Sequence, residues 1–316
     1  ELCQTYRKSM NFEGSFEELA YNRNLANKTP DGYVFKNAAI LLFAQDPERY
    51  IPNARVRYVR YSGTERQSGK NFNAVKDEFF YGAIPTLIKK LESFMEAVLR
   101  DYYYFDVQSG RFHMVPEFPK DAWLEGIVNA LYHRSYNLQG NPVMITHFDD
   151  RLEIENSGPL PAQVTVENIA REKFTRNVRV ARALNELGYV RELREGVPRI
   201  YESMRDSMLA TPEYSDDGTT VTLTLRNRVT DHKKTIPDHI LKQIEKGWDD
   251  FSDSQQKIIG LLFENAELTI DGFIEKMSLS ESAIRNNLKL LEEQNLITRK
   301  SEKQRDRNAL YHFSAE

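Results

Sequence analysis

Cysteine is almost missing from this chain: Cys3 is the only one in 316 residues. A single thiol permits neither a disulfide framework nor a cysteine-rich zinc site within the chain, which suits a reducing, cytoplasmic setting. Long apolar runs are missing as well. None approaches the ~20 residues of a membrane span, and no charged-then-apolar signal segment opens the sequence. A large charge of one sign is absent: the net balance is −4, so any contact with nucleic acid has to be local. The histidines lack metal-ligand spacing. His113, His133, His232 and His239 are scattered, while His147 and His312 sit in strand-like alternation and read as packed or hydrogen-bonded. Glu1 stands where an initiator Met would be, so the chain reads as a fragment or processed product with an upstream domain missing.

What is present is the composition of a soluble globular protein, 40% hydrophobic and 28% charged. The length favours two or three domains, because a single core rarely keeps growing beyond ~250 residues. Three units are expected. The first, 1–115, is a small α/β linker domain. It has a helical tendency over 16–20 and a short apolar stretch at 36–43 that is too brief to tell helix from strand. A β-branched, aromatic strand follows at 55–61, then an amphipathic helix over 84–99 that runs into Tyr102–Phe105.

The second unit, 116–228, opens on a helix with Pro119 at its start and Asp121 in its first turn. Strands at 143–148 and 151–155 flank Asp149-Asp150 as a hairpin, broken by Asn156-Ser157-Gly158-Pro159. Helices are expected at 178–187, stopped by Gly188, and at 197–208, with an alternating strand at 220–225. A polar linker at 229–238 leads to the third unit, 239–316, with helices at 254–263, 270–276 and 281–294, Ser280 as an N-cap, and β-like pieces at 296–299 and 309–313.

Residues 125–136, EGIVNALYHRSY, pose the chemical question. Residues four apart share a helix face, so Glu125, Asn129 and His133 form one row. A carboxylate and an amide in that row suit a metal–triphosphate: the amide oxygen of Asn129 as a Mg²⁺ ligand, Glu125 as base for an attacking water. Such rows are common, and by spacing alone the commoner reading is a solvated polar face. The nearest approach to a Walker A loop, Gly63 to Asn71, has five residues between its glycines and Asn71 after the lysine, and reads as a surface loop.

The third unit has the element order of a winged helix-turn-helix, whose second turn helix enters the major groove. On 281–294, Ala283, Ile284, Leu288, Leu290 and Leu291 supply a buried side, leaving Ser282, Arg285, Asn286 and Lys289 outward to reach phosphates or base edges of double-stranded DNA. The wing carries Arg299, Lys300, Lys303, Arg305 and Arg307 against Glu302 and Asp306, a positive tip suited to phosphates. Against this, residues 250–316 hold twelve acidic and nine basic side chains, and such modules also serve in dimerisation or protein docking.

The stretches KNAAILLFAQDPERYIPNARVRYVRYSG (36–63), FPKDAW (118–123) through EGIVNALYHRSY, FDDRLEIENSGPLP (148–161), TRNVRVARALNELGYV (175–190) and EGVPRI (195–200) together resemble a bacterial and archaeal family of transcriptional regulators. These are often labelled as related to the C-terminal region of RecG-type helicases. Family members join a Schlafen/AlbA-like DNA-binding domain, apparently absent here, to a degenerate GHKL-type ATPase domain and a C-terminal winged helix. The resemblance implies an α+β chain: a small α/β linker domain, a GHKL-like α/β sandwich and a winged helix. It makes Glu125 the candidate base and Asn129 the candidate Mg²⁺ ligand. Glu155 or Asn156, with Gly158, stands where the adenine is read, and Arg176 and Asn177 face the phosphates. Gly196 and Arg199 belong to the family's Gly-x-Gly-Ile-x-Arg-Ile segment, in which Arg194 here replaces the first glycine. That loss disfavours phosphate cradling, because a Cβ there obstructs the backbone's approach. The expectation is therefore a dimeric, DNA-binding regulator with an ATP- and Mg²⁺-binding sensor or scaffold. A working Mg²⁺-ATPase and an inactive assembly scaffold are the alternatives.

Overall fold

The computed structural model describes residues 1–106, 111–172, 174–189, 196–207, 209–227, 240, 243–244, 250–277, 279–301, 306 and 308–314. The chain forms two compact units: Glu1–Arg100 with Pro116–Arg228, and Asp101–Val115 with Val229–Glu316.

The first unit begins with α1 (Leu2–Ser9) and α2 (Phe16–Asn22). Ser15 starts α2 by a capping box: its Oγ accepts from the Glu18 N–H at 3.1 Å, and the Glu18 carboxylate accepts from the Ser15 N–H at 2.9 Å. A hairpin of β1 (Ala26–Thr29) and β2 (Gly32–Phe35) follows, then α3 (Asn37–Phe43), which settles the short apolar stretch as a helix. Next come β3 (Val56–Tyr61), β4 (Ala74–Phe80) and α4 (Ile84–Val98). The chain leaves this unit for the hairpin of β5 (Asp101–Asp106) and β6 (Arg111–Pro116) and returns with α5 (Lys120–His133). Tyr102–Phe105 are thus in a strand and do not continue the preceding helix. The unit is completed by β7 (Val143–His147), β8 (Arg151–Ser157), α6 (Val178–Glu186), α7 (Gly196–Asp206), β9 (Glu213–Asp216) and β10 (Thr220–Arg226).

Six strands form one mixed sheet in the order β4-β3-β7-β8-β10-β9. Only β3 and β7 run parallel, Val56 opposite Val143; the other pairs are antiparallel. That parallel pair changes the expected division. Residues on both sides of 115/116 share a sheet, so 1–115 and 116–228 are not separate units; the segment set apart is the inserted 101–115 hairpin. Gly126 lets α5 lie close on the sheet, since a Cβ there would stand 2.7 Å from Leu223 Cδ2 and 2.9 Å from Ile154 Cδ1.

The ends of the inserted hairpin are tied by a buried polar chain. The Glu117 N–H donates to the Arg100 carbonyl at 2.7 Å, and one Glu117 carboxylate oxygen accepts from the Arg100 N–H at 3.1 Å. The other lies 2.9 Å from His147 Nε2, whose Nδ1 meets the Tyr58 hydroxyl at 2.8 Å. All three side chains are buried, so His147 is a packed, hydrogen-bonded histidine.

Gly188 stops α6 as read from the sequence. At φ 83° it closes the helix with its N–H on the Asn185 carbonyl at 2.9 Å and the Tyr189 N–H on the Leu184 carbonyl at 2.8 Å.

In the second unit, α8 (Asp253–Asn265), β11 (Glu267–Leu268), α9 (Ile270–Lys276) and α10 (Glu281–Glu293) precede β12 (Ile297–Lys300) and β13 (Leu310–Phe313). The three strands form a sheet in the order β11-β13-β12. Ser280 caps α10 through the Ala283 N–H at 3.3 Å, and Ile258, Leu262, Phe273, Ile284, Leu288 and Leu291 fill the core. Leu290, expected on the buried side, is 48% exposed; the apolar stripe of α10 is narrower than its composition suggested. Among the described residues, no helix is long and apolar enough to cross a membrane.

Candidate functional site

The row on α5 faces a cavity. Trp123, Ile127, Val128 and Leu131 are buried in the core, and helical geometry leaves Glu125, Asn129 and His133 along the neighbouring edge. All three line a cavity of about 340 Å³, whose far wall is Ile154 and Asn156 of β8, Tyr214 of β9, and Val221 and Leu223 of β10. Its remaining border comes from Gly158 to Pro161 with Val164, from Ile169 to Glu172, from Phe174 to Arg176, and from Gly196 to Pro198 at the start of α7.

Burial sets the electrostatics. Glu125 is pushed above the usual carboxylate range chiefly by desolvation, opposed by the Arg199 guanidinium at 3.9 Å. The Asn129 side chain also helps hold that carboxylate by a hydrogen bond. Burial lowers His133 to about 4, helped by Arg176, so its ring is neutral at pH 7. The Tyr132 and Tyr214 phenols are driven upward by burial and stay protonated. On the opposite wall Asn156 Oδ1 is a buried acceptor without a partner. One cavity thus brings together a desolvated carboxylate, two amides and a neutral imidazole.

The glycines are accounted for by close approach. A Cβ on Gly196 would stand 2.5 Å from Glu125 Oε1 and 3.7 Å from Asn129 Nδ2, so a side chain there would displace the carboxylate. Gly158, at φ 111°, would set a Cβ 2.8 Å from Ser135 Cβ.

The structure therefore brings together Glu125, Asn129, Asn156, Gly158, Arg176 and Gly196, and sets Arg199 behind Glu125. Two expected residues lie elsewhere. Strand alternation turns Glu155 to the other sheet face: its neighbours Ile154 and Asn156 line the cavity and Glu155 does not. Of the two candidates there, only Asn156 reaches the cavity. Asn177 is engaged at the end of α5, its Nδ2 donating to the carbonyls of Tyr132 and Arg134 at 2.8 Å each. Arg194 lies outside the described residues. Sequence reasoning missed Tyr214, on the short strand β9 with no strong pattern, and Phe174 at the border; nothing local signals either.

In the second unit Ser282, Asn286, Lys289 and Lys300 are exposed. Arg285 is held by Glu281 at 2.7 Å and Lys289 by Glu293 at 3.6 Å. Arg299, expected to point outward, turns inward and hydrogen-bonds the Tyr311 hydroxyl, its cross-strand partner. Lys303, Arg305 and Arg307 lie outside the described residues.

Residues 140–225 match a family model described as "Putative ATP-dependent DNA helicase recG C-terminal". The match runs from just before β7 to β10, so this part is similar to the ATPase-like C-terminal region that the model describes. It includes Asn156, Gly158, Arg176, Gly196 and Arg199 but not α5. No curated protein is detectably similar. Among solved structures, the crystal structure of the DIP2311 protein from Corynebacterium diphtheriae is similar in fold, with a TM-score of 0.56 and 20% identity. The alignment covers 99% of this chain and 61% of that one, so this chain spans about three fifths of its neighbour's length.

Proposed function

We propose that the first unit binds an ATP-type nucleotide with Mg²⁺ in the cavity beneath α5 and α7, as a sensor. The observation that carries this reading is the cavity itself, which brings Glu125 and Asn129 of α5 opposite Asn156 of β8 with Arg171 and Arg176 at its border. The residues fit such a ligand. Arg171 and Arg176 border the cavity and offer charge to phosphates, Asn156 offers an acceptor to a base amino group, and Ile154, Val221 and Leu223 offer an apolar wall. The Asn129 amide oxygen would hold the ion, which would screen phosphate charge. A nucleotide at ~100 times its dissociation constant stabilises the fold by about 2.7 kcal/mol. The test is a thermal-melt titration with ATP and Mg²⁺. The wild-type Tm should rise, and the rise should be lost in Asn129→Ala and Asn156→Ala; an unchanged melt at millimolar nucleotide would refute the reading.

Turnover is a second reading, favoured by one observation: Glu125 is desolvated and raised toward the basicity a general base needs. Phosphate release by the wild type and not by Glu125→Gln would establish it; equal release by both would remove Glu125 from that role.

For the second unit we propose a winged helix that contacts duplex DNA. Its support is the helix–strand–helix–helix–hairpin order and the exposed Ser282, Asn286 and Lys289 on α10. Binding should weaken with salt by ~0.9 in log K per neutralised phosphate, and further in Lys289→Ala and Lys303→Ala. Full affinity in both variants would exclude this surface.

A further inference from the structure

The six-stranded sheet has an open edge. Among the described residues, β4 has β3 on one side and no strand on the other. Such an edge presents unpaired N–H and C=O groups and is normally short, covered, or interrupted by proline. β4 has seven residues, no proline, and is exposed along Val75 to Phe79. Large apolar side chains crowd this edge: Phe72 and Val75 are each 66% exposed, Tyr81 45% and Phe79 38%. The Phe79 and Tyr81 rings stack, with centroids 6.3 Å apart, and the Arg55 guanidinium lies 4.8 Å over Phe79. They are held in place by these contacts while remaining open to solvent. The register shift opposite Arg60 and Tyr61 falls at the start of the strand and leaves Lys76 to Phe80 in regular pairing with β3.

We infer that β4 pairs with the β4 of a second copy of this chain, antiparallel, about a two-fold axis at Asp77, joining two sheets into one of twelve strands. The sequence selects both occupant and register. A two-fold axis relating antiparallel neighbours stands perpendicular to the sheet and keeps each side chain on its own face. Opposed residue numbers must therefore sum to an even number. Centring on Lys76 opposes lysine to lysine, and centring on Glu78 opposes glutamate to glutamate. Centring on Asp77 opposes Lys76 to Glu78 twice and Val75 to Phe79 twice. The remaining like pair, Asp77 with itself, is neutralised within each copy. Arg57 on β3 grips each Asp77 carboxylate with two hydrogen bonds, at 2.6 and 2.8 Å, and holds it below the usual carboxylate range. Opposite charges directly across an antiparallel pair stabilise it and like charges destabilise it. The strand is thus self-complementary in one register of the three.

The test is charge exchange. Sedimentation equilibrium of the full chain should give a dimer at about 10 µM. Lys76→Glu and Glu78→Lys should each weaken dimerisation by about tenfold or more, because each places two like pairs across the axis. The double variant K76E/E78K regenerates both opposite pairs and should return to the wild-type constant; it also shows that the single variants do not fail by misfolding. A wild-type chain that stays monomeric at about 100 µM overturns the inference, leaving the edge to an extended segment of another protein. A dimer indifferent to the single exchanges, or a double variant no better than the single ones, overturns it too.

Discussion

Helices α5 and α10 carry the same kind of row, polar side chains four residues apart, and put it to opposite ends. On α10, Arg285 and Lys289 are each engaged by a carboxylate of their own helix and stand in solvent, Lys289 with 74% of its side chain exposed. On α5, Glu125, Asn129 and His133 face a wall of β-strands across a cavity, and their ionisation is governed by burial. The spacing is identical, and the environment decides whether such a row is a solvated face or a site. Polar groups in water are worth little in isolation, whereas polar groups under a sheet are costly unless something arrives to satisfy them.

The comparison can be broken most forcefully at Gly126, which lets α5 approach the sheet. Gly126→Val should cost about 3 kcal/mol, through side-chain contact with Leu223 and Ile154, and should lower the chemical-denaturation midpoint of the first unit. A smaller effect comes from His133. Its folded value of about 4 lies below the 6.5 of a free imidazole, so as pH falls from about 6.5 to about 4 the unfolded chain takes up a proton that the folded chain refuses. Stability should fall across that window by about 3 kcal/mol and be indifferent to His133 above it. In His133→Gln the acid limb of Tm against pH should flatten.

Glu125 works in the other direction. Its raised value means the folded chain is destabilised at neutral pH and recovers as pH falls. Glu125→Gln should therefore raise stability at pH 7 by about 1 kcal/mol, with the gain shrinking toward acid, while abolishing any turnover. The smallest effect belongs to α10: Arg285→Ala should change stability by no more than about 0.5 kcal/mol, as for any exposed i,i+4 pair, and should act on DNA affinity instead.

Much of the fold was legible because local chemistry and global structure agree. Ser280 before α10, Gly188 after α6, and Asp149-Asp150 between β7 and β8 each mark a boundary through a backbone requirement that few residues meet. Where agreement was local only, the reading fell short. Tyr102–Phe105 follow a strong helical pattern and were given no element of their own, yet they form strand β5. Glu155 and Asn156 are adjacent in sequence, and only strand alternation, fixed by pairing with β7 and β10, says which one faces the cavity. Arg299 carries the charge of a phosphate contact but sits opposite Tyr311, and that pairing draws it inward.

By itself the sequence determined the element types, their caps, and the row of acid, amide and imidazole on one helix edge, because these depend on neighbours within a few residues. Tertiary structure alone decided that β3 joins β7 across the inserted hairpin, that the row faces a cavity, and that Asn129 and Asn156 line opposite walls of it. Those outcomes depend on which surfaces lie opposite one another, and that is set by the packing of residues far apart in the chain.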